Sequence, residues 1–204
     1  MTSRPILFSA PMVRALLDGS KTQTRRVCKP AELLSCVIQV SDPKATEQRP
    51  PCMTPGWFGD EEGEVAFKSS YGVPGDQLWV RETFLIADQR AAGWTPWVYA
   101  ADYPDQDRPK TRWKPSIFMP RAASRITLEI TGVRVELLQN ITAADALAEG
   151  VIQLPDGGYS LSDTRHYSDS PDESYASLWE HLNGEGSWNS NPWVWVIEFK
   201  KVKP

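Results

Sequence analysis

The sequence predicts an α+β fold, a small mixed or antiparallel β-barrel with peripheral helices and long loop insertions. Segments with the two-residue alternation of β-strands outnumber helical segments, and the gaps between them are too short for repeated crossover helices. Seventeen prolines and nine tryptophans indicate a loop-rich fold with large flat side chains. Because 204 residues suit one ordinary domain, we expect a single domain over residues 1–204, with insertions at about 30–75 and 88–120.

The composition restricts the classes of function. A net charge of −4 argues against a protein that coats nucleic acid by bulk electrostatics, although local basic patches remain open. Three cysteines without a C-x-x-C pair and only two histidines predict no disulfide framework, no metal site and no cofactor. No signal peptide and no stretch near the roughly 20 apolar residues of a membrane span is visible. We expect a soluble cytoplasmic protein without a membrane partner, of open oligomeric state.

The first helix is predicted between Ser9 and Gly19. Its start is marked by Ser9 and Pro11, and glycine at its end suits a left-handed cap. Its apolar stripe consists of Met12, Val13, Leu16 and Leu17. From Thr22 onward the chain is predicted to be extended, since threonine favours strands and the helical period stops.

The segment "GDQLWVRETFLI" predicts a turn followed by one strand. Because side chains alternate between faces, Glu82 shares a face with four apolar residues. These are Leu78, Val80, Phe84 and Ile86. We therefore predict that Glu82 is largely buried and paired with a cation, since an unpaired buried carboxylate is costly.

The second half of the chain predicts two short strands, two helices and a closing strand. "SRITLEITGVRVELL" predicts two short strands broken at Thr131-Gly132 by a hairpin or a bulge. Thr142 begins a helix that ends at Gly150, with Asp145 in the capping-box position. "SPDESYASLWEHLNG" predicts a helix with the apolar stripe Tyr175, Leu178, Trp179 and Leu182. "NPWVWVIEFKKV" alternates as a strand, which assigns its tryptophans to the core.

The stretch "GSKTQTRRV" combines a glycine, a lysine and an arginine pair just after the first helix. Cations near a helix C-terminus complement its dipole and are usually structural. Together with three other segments, however, this stretch resembles the ASCH family (activating signal cointegrator homology), and most closely its longer phage and prophage members. The other segments are "GDQLWVRETF", "ITAADALAEGV" and "WVWVIEFK", in that order. Gly19, Lys21 and Arg26 match the family signature G-x-K-x-x-x-x-R.

The resemblance implies a PUA-like β-barrel with a cleft and several candidate activities. Compact family members hydrolyse N4-acetylcytidine with a lysine, a threonine three residues later and a glutamate from a later helical segment. Lys21, Thr24 and Glu149 match these catalytic positions, with Glu82 as the inward-facing competitor of Glu149. As substrate-binding residues we add Gly19, Arg25, Arg26, Glu82 and Lys114.

Three functions remain open, each with a modified nucleoside, RNA or DNA as the partner. The leading one is an amidohydrolase that removes the N4-acyl group of a pyrimidine. The second is a non-catalytic RNA- or DNA-binding module, and the third is a ribonuclease that uses Lys21 with Arg25 or Arg26. A titratable acid beside Lys21 and Thr24 would favour catalysis, whereas an open groove wider than one nucleoside would favour binding.

Amide hydrolysis makes specific demands on these residues. A threonine hydroxyl needs a neighbouring base, and a lysine serves only if its pKa falls from about 10.4 toward neutrality. Residues three apart on a regular strand point to opposite faces, so Lys21 and Thr24 meet only if the chain turns after Gly19. We predict that Gly19 to Arg26 lines a concave site. We also expect Lys21→Ala to leave the fold intact, because a lysine just past a helix contributes little to a core.

The segment "TRWKPSIFMPR" mixes cations with aromatic rings. Arg112, Lys114 and Arg121 with Phe118 suit contact with a nucleic-acid backbone and stacking on bases. The alternative is a proline-braced loop whose aromatic side chains cap the barrel, and for Trp113 and Phe118 we favour this alternative.

Overall fold

The computed structural model describes residues 1–32, 34–40, 56–61, 64–86, 96–104, 107–161 and 166–202. Its strands are β1 Ser3–Leu7, β2 Gln23–Val27, β3 Ile38–Gln39, β4 Trp57–Gly59, β5 Ala66–Lys68, β6 Gln77–Arg81, β7 Phe84–Ile86, β8 Trp97–Tyr99, β9 Thr127–Leu137, β10 Ile152–Gln153, β11 Tyr159–Ser160 and β12 Trp193–Lys201. Its α-helices are α1 Ala10–Asp18, α2 Ala143–Ala148 and α3 Pro171–Asn183. A mixed α+β fold with more strands than helices is therefore confirmed.

The largest sheet has five strands in the order β1-β6-β9-β12-β2. β1 runs parallel to β6, and the other pairs are antiparallel. The central strands carry the core, where Leu128 of β9 and Val196 and Ile197 of β12 are fully buried. β1 and β2 are the two edge strands of this sheet.

The first helix ends as the sequence predicts. Gly19 has a φ of +90° and donates its amide to the carbonyl of Ala15, a left-handed conformation that glycine adopts without strain. The amide of Lys21 donates to the same carbonyl at 3.0 Å. The chain therefore turns sharply between Gly19 and Lys21, before β2 begins at Gln23.

The single strand predicted from Leu78 to Ile86 is wrong, because it is divided into β6 and β7 in different sheets. β7 pairs with β8, and Ile86 at its end is 47% exposed. Glu82 lies between the two strands and is only 1% exposed. Arg125 donates to both carboxylate oxygens of Glu82, at 2.9 and 3.0 Å. The predicted burial and cationic partner of Glu82 are confirmed.

We expect Arg125→Met to lower the free energy of unfolding by about 2 to 3 kcal/mol, because it leaves the Glu82 carboxylate buried without its cation. Burial already raises the pKa of Glu82, and the hydrogen bonds and charge of Arg125 oppose that rise. Urea unfolding measures the change. Arg121→Met is the matched control, since Arg121 is exposed, and we expect a change within about 0.5 kcal/mol. If the two variants lost equal amounts of unfolding free energy, the pairing of Arg125 with Glu82 would not be the cause.

β9 is continuous, which corrects the prediction of two short strands. Gly132 lies opposite Glu198 and Ile130 opposite Phe199, the next residue of β12. Thr131 is therefore the extra residue of a β-bulge, and the bulge alternative is correct. A Cβ on Gly132 would lie 2.6 Å from Oε2 of Glu198, so a larger residue there requires the Glu198 side chain to move. The bulge bends the strand and increases its twist.

The helix α2 begins with the predicted capping box between Thr142 and Asp145. Its C-cap is Glu149, which is 2% exposed and faces β2. In α3, three residues of the predicted apolar stripe are buried, whereas Leu182 is 49% exposed. The two helices thus cover the β2 edge of the sheet and bring Glu149 to it.

We expect Thr142→Ala to lower the free energy of unfolding by about 1 kcal/mol, since it removes the hydroxyl that accepts from the Asp145 amide at 3.1 Å. Thr142→Ser keeps that acceptor and is the matched variant. Both are compared by thermal or urea unfolding. A serine variant that is as unstable as the alanine variant would show that the methyl group, and not the cap, carries the effect.

The described part of the 30–75 insertion packs on the core. β3, β4 and β5 form a three-stranded sheet, and the rings of Phe58 and Phe67 contact Trp195 edge-on at centroid distances of 5.2 and 5.8 Å. Residues 33, 41–55 and 62–63 of this insertion, and 88–95 and 105–106 of the second, lie outside the described residues. Searched over the same ranges, no helix is long and apolar enough to cross a membrane.

Candidate functional site

A cavity of about 550 Å³ lies where the two edge strands of the large sheet approach α3. This volume is within the range of pockets that hold small molecules. One wall is formed by residues 5–9 and Met12, and the opposite wall by residues 24–27. The remaining lining residues are Tyr71, Thr83, Ser116, Glu149, Tyr175, Leu178, Trp179, Leu182 and Asn183.

Lys21 is buried and pairs with Glu149. Its Nζ donates to Oε2 of Glu149 at 2.8 Å and to the Glu149 carbonyl at 2.7 Å. Burial lowers the pKa of Lys21, and the Glu149 carboxylate opposes this. The nearby charges of Arg26 and Arg25 lower the pKa further. The expectation that Lys21 is dispensable for the fold is wrong, because its amine forms a buried ion pair.

Lys21 lies beside the cavity wall. Its Nζ is 5.7 Å from the ring centroid of Phe8, and Cζ of Arg26 is 5.3 Å from the same ring. Phe8, Arg26 and Glu149 all line the cavity. Lys21 itself is not among the lining residues in the described part of the chain, so the prediction that all of Gly19 to Arg26 lines the site is wrong. Of this stretch, only Thr24, Arg25 and Arg26 line the cavity, and Lys21 lies behind Phe8 and Glu149.

Thr24 lines the same cavity and is 1% exposed. Its backbone pairs with Ile197 in β12. Lys21 precedes β2 by two residues and follows the turn at Gly19, so the alternation of a regular strand does not separate the two side chains. The partner of Lys21, Glu149, and the hydroxyl-bearing Thr24 therefore share one cavity.

Arg25 anchors the acidic side of the site. Its side chain is fully buried, and its guanidinium lies 2.5 Å from Glu136, 3.4 Å from Asp145 and 3.3 Å from Glu149. Arg134 also pairs with Glu136 and Asp145, both at 3.0 Å. This network fixes the Glu149 carboxylate between Arg25 and Lys21. We therefore assign Arg25 to holding the Glu149 carboxylate in place, and not to binding a substrate.

Arg26 links the two edges of the sheet. Its Nη2 donates to the carbonyl of Leu7 at 2.8 Å, and its guanidinium lies over the Phe8 ring. The end of β1 and the middle of β2 are therefore joined beside the cavity by a side chain, not by backbone pairing.

The structure places three predicted binding residues away from the cavity. Gly19 is an exposed helix cap, Glu82 pairs with Arg125, and Lys114 is exposed. None of the three is among its lining residues in the described part of the chain. Their neighbours Thr83 and Ser116 do line it.

Two tyrosines that the sequence did not mark as site residues, Tyr71 and Tyr175, line the cavity. Burial raises the pKa of Tyr175 well above its ordinary value, and the charge of Glu149 raises it further. Burial also raises the pKa of Tyr71, against the charge of Arg26. Tyr175 belongs to the apolar stripe of α3, so its spacing predicted only core packing. Tyr71 lies in the insertion, where no periodic pattern marks it.

Comparisons with protein-family models, curated proteins and solved structures found no match to this chain. The resemblance to the ASCH family, stated above as an expectation, therefore depends on four short sequence segments alone. Within the described ranges, no group of three or more His, Cys, Asp or Glu side chains is arranged to hold a metal ion.

Proposed function

We propose that this chain is an ASCH-family amidohydrolase that binds a modified pyrimidine nucleoside and removes its N4-acyl group. The observation that carries the proposal is a buried acid and amine, Glu149 and Lys21, 2.8 Å apart beside a cavity lined by Thr24. Hydrolysis of an acyl amide needs an acid, a base and a nucleophile in one place, whereas simple binding does not.

The first step uses the Lys21–Glu149 pair as a proton store. With its pKa lowered by burial, Lys21 loses a proton to the solvent and becomes a neutral amine, held in place by the Glu149 carboxylate. The amine accepts the proton of the Thr24 hydroxyl as its oxygen attacks the acyl carbonyl carbon. The resulting tetrahedral intermediate carries the negative charge on the former carbonyl oxygen.

The second step releases the pyrimidine. As the C–N bond breaks, the exocyclic nitrogen takes a proton from the Lys21–Glu149 pair, and the acyl group remains as an ester on Thr24. A water then attacks this ester and gives one proton to the Lys21–Glu149 pair. As the carboxylic acid leaves, the pair passes that proton to the Thr24 oxygen and restores its hydroxyl. Arg25 holds Glu149 in place throughout.

The remaining features of the cavity suit this substrate. Phe8, Tyr71 and Trp179 supply rings beside which a flat base can pack. The cavity volume of about 550 Å³ suits one nucleoside. We infer that the five-stranded sheet is a PUA-like barrel, because Arg26 connects its two edge strands and the β9 bulge bends it.

The ribonuclease alternative that uses Arg25 is disfavoured by the burial of this residue. Its side chain has no exposed surface, and three carboxylates already surround its guanidinium. A phosphate would have to displace one of them.

The direct test is incubation of the protein with N4-acetylcytidine and chromatographic detection of cytidine and acetate. Glu149→Gln is the matched variant, because it keeps the shape of the side chain and removes the titratable acid. We expect cytidine from the wild type and at least about 10²-fold less from the variant. No cytidine above the rate without protein, from either N4-acetylcytidine or its 2′-deoxy form, would contradict the proposal.

A further inference from the structure

A basic segment borders the proposed site in a chain whose net charge is −4. Residues 108–121 contain five lysines and arginines and no aspartate or glutamate. Lys110, Arg112, Lys114 and Arg121 are exposed. This concentration of one sign of charge produces a local positive potential that the overall composition conceals.

The segment is fixed against the body of the protein. The backbones of Lys114 and Phe84 exchange hydrogen bonds of 2.8 and 3.2 Å. Arg81 donates from Nε to the carbonyl of Met119 at 3.1 Å and from Nη2 to the carbonyl of Ile117. An ordered surface loses less conformational entropy when a partner binds.

Two apolar side chains project from this surface. Phe118 is 68% exposed and Ile117 is 57% exposed, whereas burial would be expected of a ring that only caps a core. Both belong to the 3₁₀ turn Ser116–Phe118, and Ser116 lines the cavity. The exposed ring of Phe118 is therefore one short turn from the cavity wall.

Neighbouring charges reduce this potential only in part: Asp107 precedes the segment and is exposed, and one guanidinium, that of Arg125, faces two carboxylates. The carboxylates of Glu82 and Asp102 are both engaged by Arg125, at 2.9 and 2.7 Å. The ring of Trp79 in β6 lies next to the segment, with the guanidinium carbons of Arg81 and Arg121 at 5.2 and 5.7 Å from its centroid. Two cations and one ring of β6 and the segment are therefore in contact.

We propose that this surface, residues 110–121 with Trp79 and Arg81, binds a single-stranded nucleic acid and delivers one of its bases to the cavity. Cations contact the phosphates and Phe118 stacks on the base next to the one in the cavity. The delivery of the base rests on the proposed function, and it identifies the substrate as a nucleotide within a strand. A duplex keeps its bases stacked and offers no free face to Phe118.

The test is binding of a short fluorescein-labelled oligocytidine to the full chain, followed by anisotropy. Phe118→Ala should weaken binding roughly 5- to 150-fold, the equivalent of about 1 to 3 kcal/mol for one stacked base. Lys114→Ala should lower the slope of log affinity against log salt by about 1. The controls are Leu147→Ala, an exposed apolar residue of α2, and Lys68→Ala, an exposed cation of β5. Both should bind as the wild type.

Each further outcome has one meaning. Equal binding by Phe118→Ala, Lys114→Ala and the wild type would overturn the proposal, as would equal binding of a hairpin duplex. RNA and DNA strands are compared separately, and preference for either supports it. Hydrolysis of the free nucleoside without strand binding would overturn this inference and leave the proposed function intact. Strand binding without hydrolysis would support the surface and overturn the proposed function.

Discussion

Thr24→Val is expected to reduce the rate of N4-deacylation at least about 10³-fold, because it removes the nucleophilic oxygen. Valine has nearly the shape of threonine and is well suited to a strand, so β2 should keep its pairing with β12. Product formation from N4-acetylcytidine is the measurement. Thr24→Ser is the matched control, because it restores a hydroxyl and should recover part of the activity. Deacylation by Thr24→Val near the wild-type rate would exclude Thr24 as the nucleophile.

Lys21→Arg extends the same test to the base. We expect it to abolish deacylation, since a guanidinium cannot lose its proton near neutral pH. A binding site that only needs a cation would tolerate the change. Retained deacylation in Lys21→Arg would rule out Lys21 as the base.

The pH dependence of the deacylation rate tests whether the neutral amine of Lys21 is the base. The neutral amine is the base, so the rate should rise with pH through the lowered pKa of Lys21. In Glu149→Gln the carboxylate that opposes this lowering is gone. The rising limb of its residual activity should therefore shift to lower pH, while a shift to higher pH would contradict the assignment.

Local signals predicted the parts of the fold that depend on neighbouring residues. The glycine cap of α1, the capping box of α2 and the inward face of Glu82 each follow from a few adjacent positions. Strand limits were less predictable. β6 and β7 continue one alternating pattern but belong to different sheets, and the Thr131-Gly132 break is only a bulge. Both outcomes depend on which strand lies alongside.

The sequence named Lys21 and Glu149 separately, but it did not predict the buried contact that joins them. Lys21 and Glu149 are separated by 128 positions, and the burial of their contact exists only because α2 packs against the β2 edge. A lysine just past a helix end is usually exposed, which is why the sequence suggested a dispensable side chain. The network around Arg25 likewise joins β2, β9 and α2. No pattern within one segment encodes it.

Arg25→Met is expected to be among the most destabilising single substitutions in this network, at about 3 to 5 kcal/mol. It leaves Glu136, Asp145 and Glu149 without the cation they share, and Glu149 is 2% exposed. Such a loss is a large fraction of the roughly 5 to 15 kcal/mol that stabilises a typical domain. The control is Arg134→Met, whose side chain is 37% exposed and for which we expect about 1 kcal/mol or less. Similar losses in the two variants would contradict the central role of Arg25.

At acidic pH, the free energies of unfolding of Arg25→Met and the wild type should differ less than at neutral pH. Burial raises the pKa of Asp145, but hydrogen bonds from Thr142 and Gln23 and the charge of Arg25 hold it at about 2. Because this folded-state pKa lies below the unfolded value of about 3.9, the stabilisation is complete above pH 4 and is lost as the pH falls through 2. Arg25 contributes part of that stabilisation. Urea unfolding should therefore show the full difference in the free energy of unfolding at pH 7 and a smaller difference between pH 4 and 2. A difference that stays constant from pH 7 to pH 2 would mean that the ion pairs of Arg25 with the carboxylates do not stabilise the fold.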